Sequence, residues 1–217
     1  MSDKKEFLDI YDENDCRIGA RPRDEVHARG YWHHTFHCWL YRDTEAGRRL
    51  LLFQLRQHTK DTFPGCYDIT AAGHLSQGET VSDAVRELEE ELGVTASYEQ
   101  LKLLMTTREE IHGELFGVPF IDREVSSVFG LHSNLTLEQY RLQTEEVAGL
   151  YEADVNDMLA LFQGNLPEIT AAGISSDAAA GSRLHERPVR SSDFVDRELS
   201  YYIDICRKIQ DQPPGIP

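Results

Sequence analysis

Residues Gly73 to Val94 read GHLSQGETVSDAVRELEEELGV, and the rest of the chain is best understood outward from them. Glu87, Glu89, Glu90 and Glu91 crowd one helical turn, where like charges repel and something must offset the repulsion. Glu87, Glu90 and Glu91 stand at i, i+3 and i+4, so their side chains leave one helix face and can converge on a hard divalent cation with oxygen ligands. Mg²⁺ suits such a place, because it is held by a few carboxylates and completes its shell with waters and substrate phosphates. The bland alternative is a solvated acidic face. The spacing predicts a charged helix over Thr80 to Leu92. Thr80 and Asp83 stand as in a capping box, and Gly93 falls where a left-handed glycine ends a helix.

Before this helix, Phe7 to Gly19 alternates apolar and polar residues around Asp12-Glu13-Asn14-Asp15, the pattern of a short hairpin. Trp32 to Arg42 and Arg49 to Leu55 read as paired strands, Pro64-Gly65 as a turn and Tyr67 to Ala72 as a short strand. After it, strands are expected at Leu101 to Thr107 and Arg123 to Leu131 with a polar loop over Arg108 to Gly117 between them, then a helix from Asp154 to Phe162. The Ala-, Gly- and Ser-rich run within about 168–187 reads as a low-complexity loop. Beyond it, Val195, Leu199, Tyr202, Ile203, Cys206 and Ile209 recur at three- and four-residue steps, predicting a C-terminal helix over about 192–210 that docks on the core.

The 217 residues carry 22 Lys and Arg against 38 Asp and Glu, a formal charge of −16. A chain of this length buries roughly 70% of its unfolded surface, so a single domain over 1–217 is expected. The acidic balance argues against nucleic acid as a partner, because binding phosphates needs a basic face. The charged start holds no apolar leader and no long apolar run follows, so a cytoplasmic protein with no membrane partner is expected. Cys16, Cys38, Cys66 and Cys206 are widely spaced with no C-x-x-C pair, which points to reduced thiols. A homodimer is left open.

The quoted stretch resembles the Nudix box, Gly-x5-Glu-x7-Arg-Glu-U-x-Glu-Glu-x-Gly-U with U aliphatic. Gly73 and Glu79 fit its first half, and Arg86, Glu87, Leu88, Glu90, Glu91, Gly93 and Val94 fit the second at every defined position. Thr80 to Val85 supplies six residues where the pattern has seven. One residue less turns a helix by about 100°, which puts the role of Glu79 in question. The resemblance implies an α/β (α+β) fold, an α/β/α sandwich around a mixed β-sheet, here with an N-terminal hairpin and a C-terminal helix. It also implies hydrolysis of a diphosphate linkage in a small-molecule substrate, a nucleoside diphosphate derivative or a related compound, with Mg²⁺ or Mn²⁺ as cofactor. By position, Glu87, Glu90 and Glu91 would hold the metal, Gly73 would offer its carbonyl, and Arg86 would orient the carboxylates. Glu146, shortly before Gly149-Leu150-Tyr151, matches a glutamate that often binds metal or acts as base, and is preferred here to Glu145.

From Leu8 to Phe162 the chain also resembles type I isopentenyl-diphosphate isomerase, a Nudix-fold enzyme that moves a double bond. Arg56, Lys60, Pro64-Gly65, Gly73-His74 and Asp122-x-Glu124 carry the likeness. It implies a second divalent-metal site at His27, His33 or His34, His74, Asp122 and Glu124, and diphosphate contacts from Arg56 and Lys60. It fails at the chemistry, because the nucleophilic Cys of the isomerase precedes its Gly-His pair and here that position is Ala72. Hydrolysis is therefore the expected activity. The rivals are an isomerase-like enzyme and a catalytically silent ligand-binding module. Tyr31, Trp32 and Phe63 are candidates for an aromatic wall.

Overall fold

A computed structural model describes residues 5–60, 62–115, 118–176 and 184–214. In chain order the elements are β1 (Phe7–Tyr11), β2 (Arg17–Pro22), α1 (Arg23–Arg29), β3 (Trp32–Asp43), β4 (Arg49–Arg56), β5 (Tyr67–Asp68), β6 (Ala71–His74), α2 (Arg86–Leu92), β7 (Lys102–Leu115), β8 (Val118–His132), β9 (Val147–Asp154), α3 (Val155–Phe162), β10 (Ile169–Ser175), β11 (His185–Val189) and α4 (Leu199–Gln210). They build one mixed sheet with the order β11-β10-β9-β4-β3-β1-β2, in which β8 lies parallel to β3 and carries β7, while β6 pairs with β3 and β5 with β4.

β3 organises the sheet, because its alternating side chains feed both faces. Phe36, Cys38 and Leu40 enter the layer shared with Leu88 and Leu92 of α2, whereas Trp39 and Tyr41 enter the opposite layer with Met158 of α3 and Tyr202 and Ile205 of α4. Helices thus cover both faces, which gives the expected α/β/α layering. The N-terminal hairpin of β1 and β2 forms as read, and α1, which the periodicity did not announce, follows it directly. Asp154 caps α3 by accepting from the Asn156 amide at 2.9 Å. No helix among the described residues is long and apolar enough to cross a membrane.

Four expectations need correction. The helix read over Thr80 to Leu92 is a 3-10 turn at Asp83–Val85 followed by α2, with the Asp83 carboxylate accepting from the Thr80 amide at 2.8 Å. The polar loop at Arg108 to Gly117 is strand as far as Leu115, since its polar residues alternate between exposed and half-buried along a ribbon; residues 116 and 117 lie outside the described residues. The small-residue run at about 168–187 begins as β10 and ends in β11, which pair from Ile169↔Val189 to Gly173↔His185, and its residues 177–183 lie outside the described ones. Small size there serves packing, because a Cβ on Gly173 would stand 2.1 Å from the Tyr151 ring. Lastly, α4 starts at Leu199, not near 192. Phe194 instead bridges Tyr67, and the Val195 amide donates to the Tyr67 carbonyl at 2.9 Å, so this stretch runs extended across the sheet.

Leu88 is fully buried and anchors α2 to the sheet. Leu88→Ala is expected to cost about 2–5 kcal/mol of stability in a denaturant titration, the range for truncating a buried leucine.

Candidate active site

α2 is short and amphipathic in an unusual way, since Leu88 and Leu92 are buried together with the carboxylate Glu91. Glu91 Oε2 lies 3.3 Å from Gln54 Nε2 and 3.4 Å from the Ala72 amide, two donors from the sheet beneath. Glu87, one turn earlier, faces β6 so closely that a Cβ on Gly73 would stand 2.2 Å from its Oε1. Burial is the main reason that the Glu87 carboxyl is pushed up to about 7, and it pushes Glu91 well above the carboxylate range, with Glu87 adding to the effect. Glu90 stands at the rim, half exposed.

Arg86 binds the group together. Its guanidinium donates to Glu79 through Nε and Nη2, each at 3.2 Å, and through Nη1 to Glu87 at 2.6 Å and Glu90 at 3.0 Å. Glu79 therefore meets Arg86 despite the six-residue spacer. The turn between them takes up the missing residue: Glu79 closes on Ser76 through both its amide and its carboxylate, and a 3-10 turn replaces the first turn of α helix.

Glu87, Glu90 and Glu91 line one cavity of about 260 Å³ whose wall also includes His27, His74, Asp122 and Glu124 of the second group of candidates. His33 comes from β3, His74 from β6, Asp122 and Glu124 from β8, and His27 from α1. Register explains the meeting, since β3 pairs His33 with Glu124 and Thr35 with both Ser126 and His74. Strand alternation also selects His33 over His34, which turns away to stack on Tyr11 and pair with Asp15. The Nε2 atoms of His27 and His33 lie 3.6 and 3.5 Å from Asp122 Oδ1. Nδ1 of His33 donates to the Tyr31 carbonyl at 3.1 Å, which leaves Nε2 as the basic nitrogen aimed at the cluster.

Whether a metal fits is tested by the polar atoms themselves. Nε2 of His27, His33 and His74, Oδ1 of Asp122 and Oε2 of Glu124 are all buried without a hydrogen-bond partner among the described residues. Buried polar atoms are normally satisfied, and these five fall into two groups that share His33, His27-His33-His74 and His33-Asp122-Glu124, each with its ligand atoms within 4.8 Å of one another, a donor set suited to Mn²⁺, Zn²⁺ or Mg²⁺. Burial lowers the imidazoles, His27 to about 4, so they stand neutral with lone pairs available. Burial and the neighbouring Glu124 raise Asp122, whereas His37 and Arg197 outweigh burial at Glu124 and keep it ionised.

The remaining candidates also reach the cavity wall, but already partnered. Arg56 donates to Asp68 at 3.0 Å and to the Thr62 carbonyl at 2.9 Å, and Lys60 is ion-paired with Glu146. Glu146 lines the cavity, whereas Glu145 bonds to Thr144 and does not. Of the aromatic wall, Phe63 alone lines the cavity; Trp32 lies beneath the Arg108 guanidinium at 3.8 Å, and Tyr31 packs against the small core of Leu8, Ile10 and Val26. The sequence reading missed Arg23 and Arg197. Arg23 precedes His27 by one helical turn, a spacing that could have flagged it. Arg197 is buried in the extended C-terminal stretch, against Glu109 and 3.8 Å from Glu124, and no local pattern announces it.

A loop-helix-loop that delivers glutamates and an orienting arginine to the edge of a sheet sandwiched between helices defines the Nudix class of proteins. The chain belongs to that family, whose NUDIX domain matches residues 32–170. An uncharacterized Nudix hydrolase of Clostridium acetobutylicum is 35% identical over 208 residues, 96% of this chain and 98% of its own. An isopentenyl-diphosphate Delta-isomerase of Mycolicibacterium vanbaalenii is 41% identical over 96 residues, 43% of this chain and 51% of its own, in line with the isomerase-like subgroup. In structure, a Deinococcus radiodurans protein covers 73% of this chain and 90% of its own with a TM-score of 0.54 at 20% identity, which shows the shared fold. Members of the family generally hydrolyse diphosphates with the help of divalent metals.

Two outcomes are expected of the metal-free protein. Gly73→Ala displaces the Glu87 carboxylate and weakens Mn²⁺ binding by about tenfold or more, with little change in the unfolding midpoint; calorimetric titration and thermal melts read the two effects. The second is a stability that falls as pH rises above about 6.5. Raised carboxyls favour the fold while protonated and lose that contribution as pH climbs from their unfolded value of about 4.5 through about 7 for Glu87 and higher for Glu91. The lowered histidines act in the opposite sense, but only up to their unfolded value of about 6.5, beyond which the carboxyls act alone. Melts across pH 5 to 9 check this, and Glu91→Gln is expected to flatten the decline.

Proposed function

We propose that this chain is a Mg²⁺- or Mn²⁺-dependent diphosphohydrolase that cleaves the diphosphate linkage of a nucleoside diphosphate derivative or related organic diphosphate by water attack at phosphorus. One observation carries the reading: Glu91 is buried on two neutral donors, Glu87 beside it is half-buried and shares Arg86 with Glu79 and Glu90, and the other walls of their cavity carry Arg23, Arg56 and Lys60. Buried carboxylates of this kind are stabilised when a cation enters, and the cations opposite suit phosphate oxygens. A divalent ion held by Glu87, Glu90, Glu91 and the Gly73 carbonyl would neutralise the bridging phosphates and acidify the attacking water.

The protein's own residues do the rest. Arg86 holds the glutamates in register and relieves their repulsion. Arg56, braced by Asp68 and Thr62, presents a fixed cation to the substrate phosphates. Lys60 exchanges Glu146 for a phosphate oxygen when substrate enters, and the released Glu146 carboxylate accepts the proton of the attacking water. Asp122, Glu124 and the three histidines would hold a second cation at the deep end of the same cavity. These two overlapping groups of donors also favour a second reading, isomerisation of isopentenyl diphosphate. Against it stands Ala72, which supplies neither thiolate nor proton.

The test is phosphate or nucleotide release from a panel of nucleoside diphosphate derivatives and dinucleotides with Mg²⁺ or Mn²⁺, with isopentenyl diphosphate included and its isomer followed. Metal-dependent cleavage is expected, reduced at least about 100-fold in Glu91→Gln and Glu90→Gln, the scale of losing a positioned catalytic group. Glu146→Gln should lower kcat more than it changes KM, and Lys60→Met should raise KM. Isomer formation, or binding without turnover across the panel, overturns the reading.

A further inference from the structure

A second cavity, of about 760 Å³, opens on the other side of β4 from the glutamates. Gln54 and Arg56 line the first cavity, whereas Leu55 and Gln57 line the second, as the two-residue period of an extended chain dictates. The two walls differ in chemistry. Glu6, Asp68, Glu87, Glu90, Glu91, Asp122, Glu124 and Glu146 line the first. Among the described residues no carboxylate lines the second, in a chain where acidic residues outnumber basic ones by 38 to 22.

The groups of the second cavity that can donate to an anion include the Arg187 guanidinium, the His58 and His185 rings and the hydroxyl of Ser176. Arg187 Nη1 donates to the Tyr151 hydroxyl at 3.1 Å, and its guanidinium lies 5.7 Å from the centroid of that ring. Tyr151 is almost fully buried in the core, and its hydroxyl also pairs with His185 Nε2 at 3.1 Å. One rigid tyrosine thus fixes both groups. Among the described residues Arg187 has no acidic hydrogen-bond partner; nearby Asp193 does not line the cavity and accepts from the Arg190 amide at 2.8 Å. An arginine fork held in place, with most of its N–H groups uncommitted, matches the oxygens of a phosphate group, and the volume suits a small molecule. Ser176, His185 and Arg187 lie beyond the residues that the family domain matches, whereas Tyr151, which fixes His185 and Arg187, lies within.

We propose that this cavity is an anion site, in which Arg187 takes the phosphate group of inorganic phosphate or of a small phosphate monoester. The assignment does not depend on the diphosphate reading. Calorimetric titration of the metal-free protein with inorganic phosphate, and separately with glycerol phosphate, tests it and tells the two sources apart by which binds more tightly. Saturable binding of one of them is expected, weakened at least about tenfold in Arg187→Met, the scale of losing a charge-assisted hydrogen bond, and unchanged in Glu91→Gln. Should Arg187→Met fail to fold, Tyr151→Phe keeps the ring, removes the oxygen that holds the fork, and should weaken binding several-fold. No saturable binding of either probe by the wild type, wild-type affinity in the variants of this pocket, or loss of binding in Glu91→Gln overturns the proposal.

Discussion

Carboxylates brought together out of water repel each other and resist ionisation, and the charge of Arg86 is what allows Glu79, Glu87 and Glu90 to gather around one guanidinium at the end of the cavity. The rest of the site is arranged around that constraint. α2 lies flat enough on the sheet for Leu88 and Leu92 to anchor it, which carries Glu91 inside with them. Gly73 has no side chain because Glu87 occupies the space. Compensation by Arg86 is partial, and the proton affinity left at Glu87 and Glu91 marks where positive charge is wanted.

The deep end of the cavity solves a related problem with different means. There the sheet itself brings the groups together, through the parallel pairing of β3 with β8 and the antiparallel pairing of β3 with β6, and α1 adds His27 from outside. Neutral imidazoles face carboxylates, and Arg197 supplies the buried counter-charge beside Glu124. That arginine arrives on a segment which pairs with Tyr67 instead of coiling into the C-terminal helix. One end of the cavity is therefore a property of a helix, and the other a property of strand register.

Much of this was legible residue by residue. The i, i+3, i+4 spacing of Glu87, Glu90 and Glu91 is a local fact, and so is the glycine that ends α2 in the left-handed region with φ of 69°. The choice between Glu145 and Glu146 followed from position alone and agrees with which of them lines the cavity. The misread segments share a cause. The Arg108 and Ala171 regions look like loops by composition, but a strand is stabilised by its neighbours, and Tyr151 rewards small residues at Gly173 in a way that no window of sequence reveals. The apolar spacing around Val195 fits a helix, yet the contacts of Phe194 and Val195 with Tyr67 hold it extended.

The sequence by itself determined the class of the protein and the identity of its glutamates, because both are written in short-range spacing along one helix and its flanking loops. It also named the histidines and acids of the second cluster, though not which of His33 and His34 belongs there. Tertiary structure alone decided that, since a strand residue faces in or out according to which neighbours it pairs with. Tertiary structure alone also restored the contact between Glu79 and Arg86, tied Lys60 to Glu146 and brought Arg187 to Tyr151. Each of these joins residues that the chain holds apart and the fold presses together, and the energy of a charge depends on what is next to it in space.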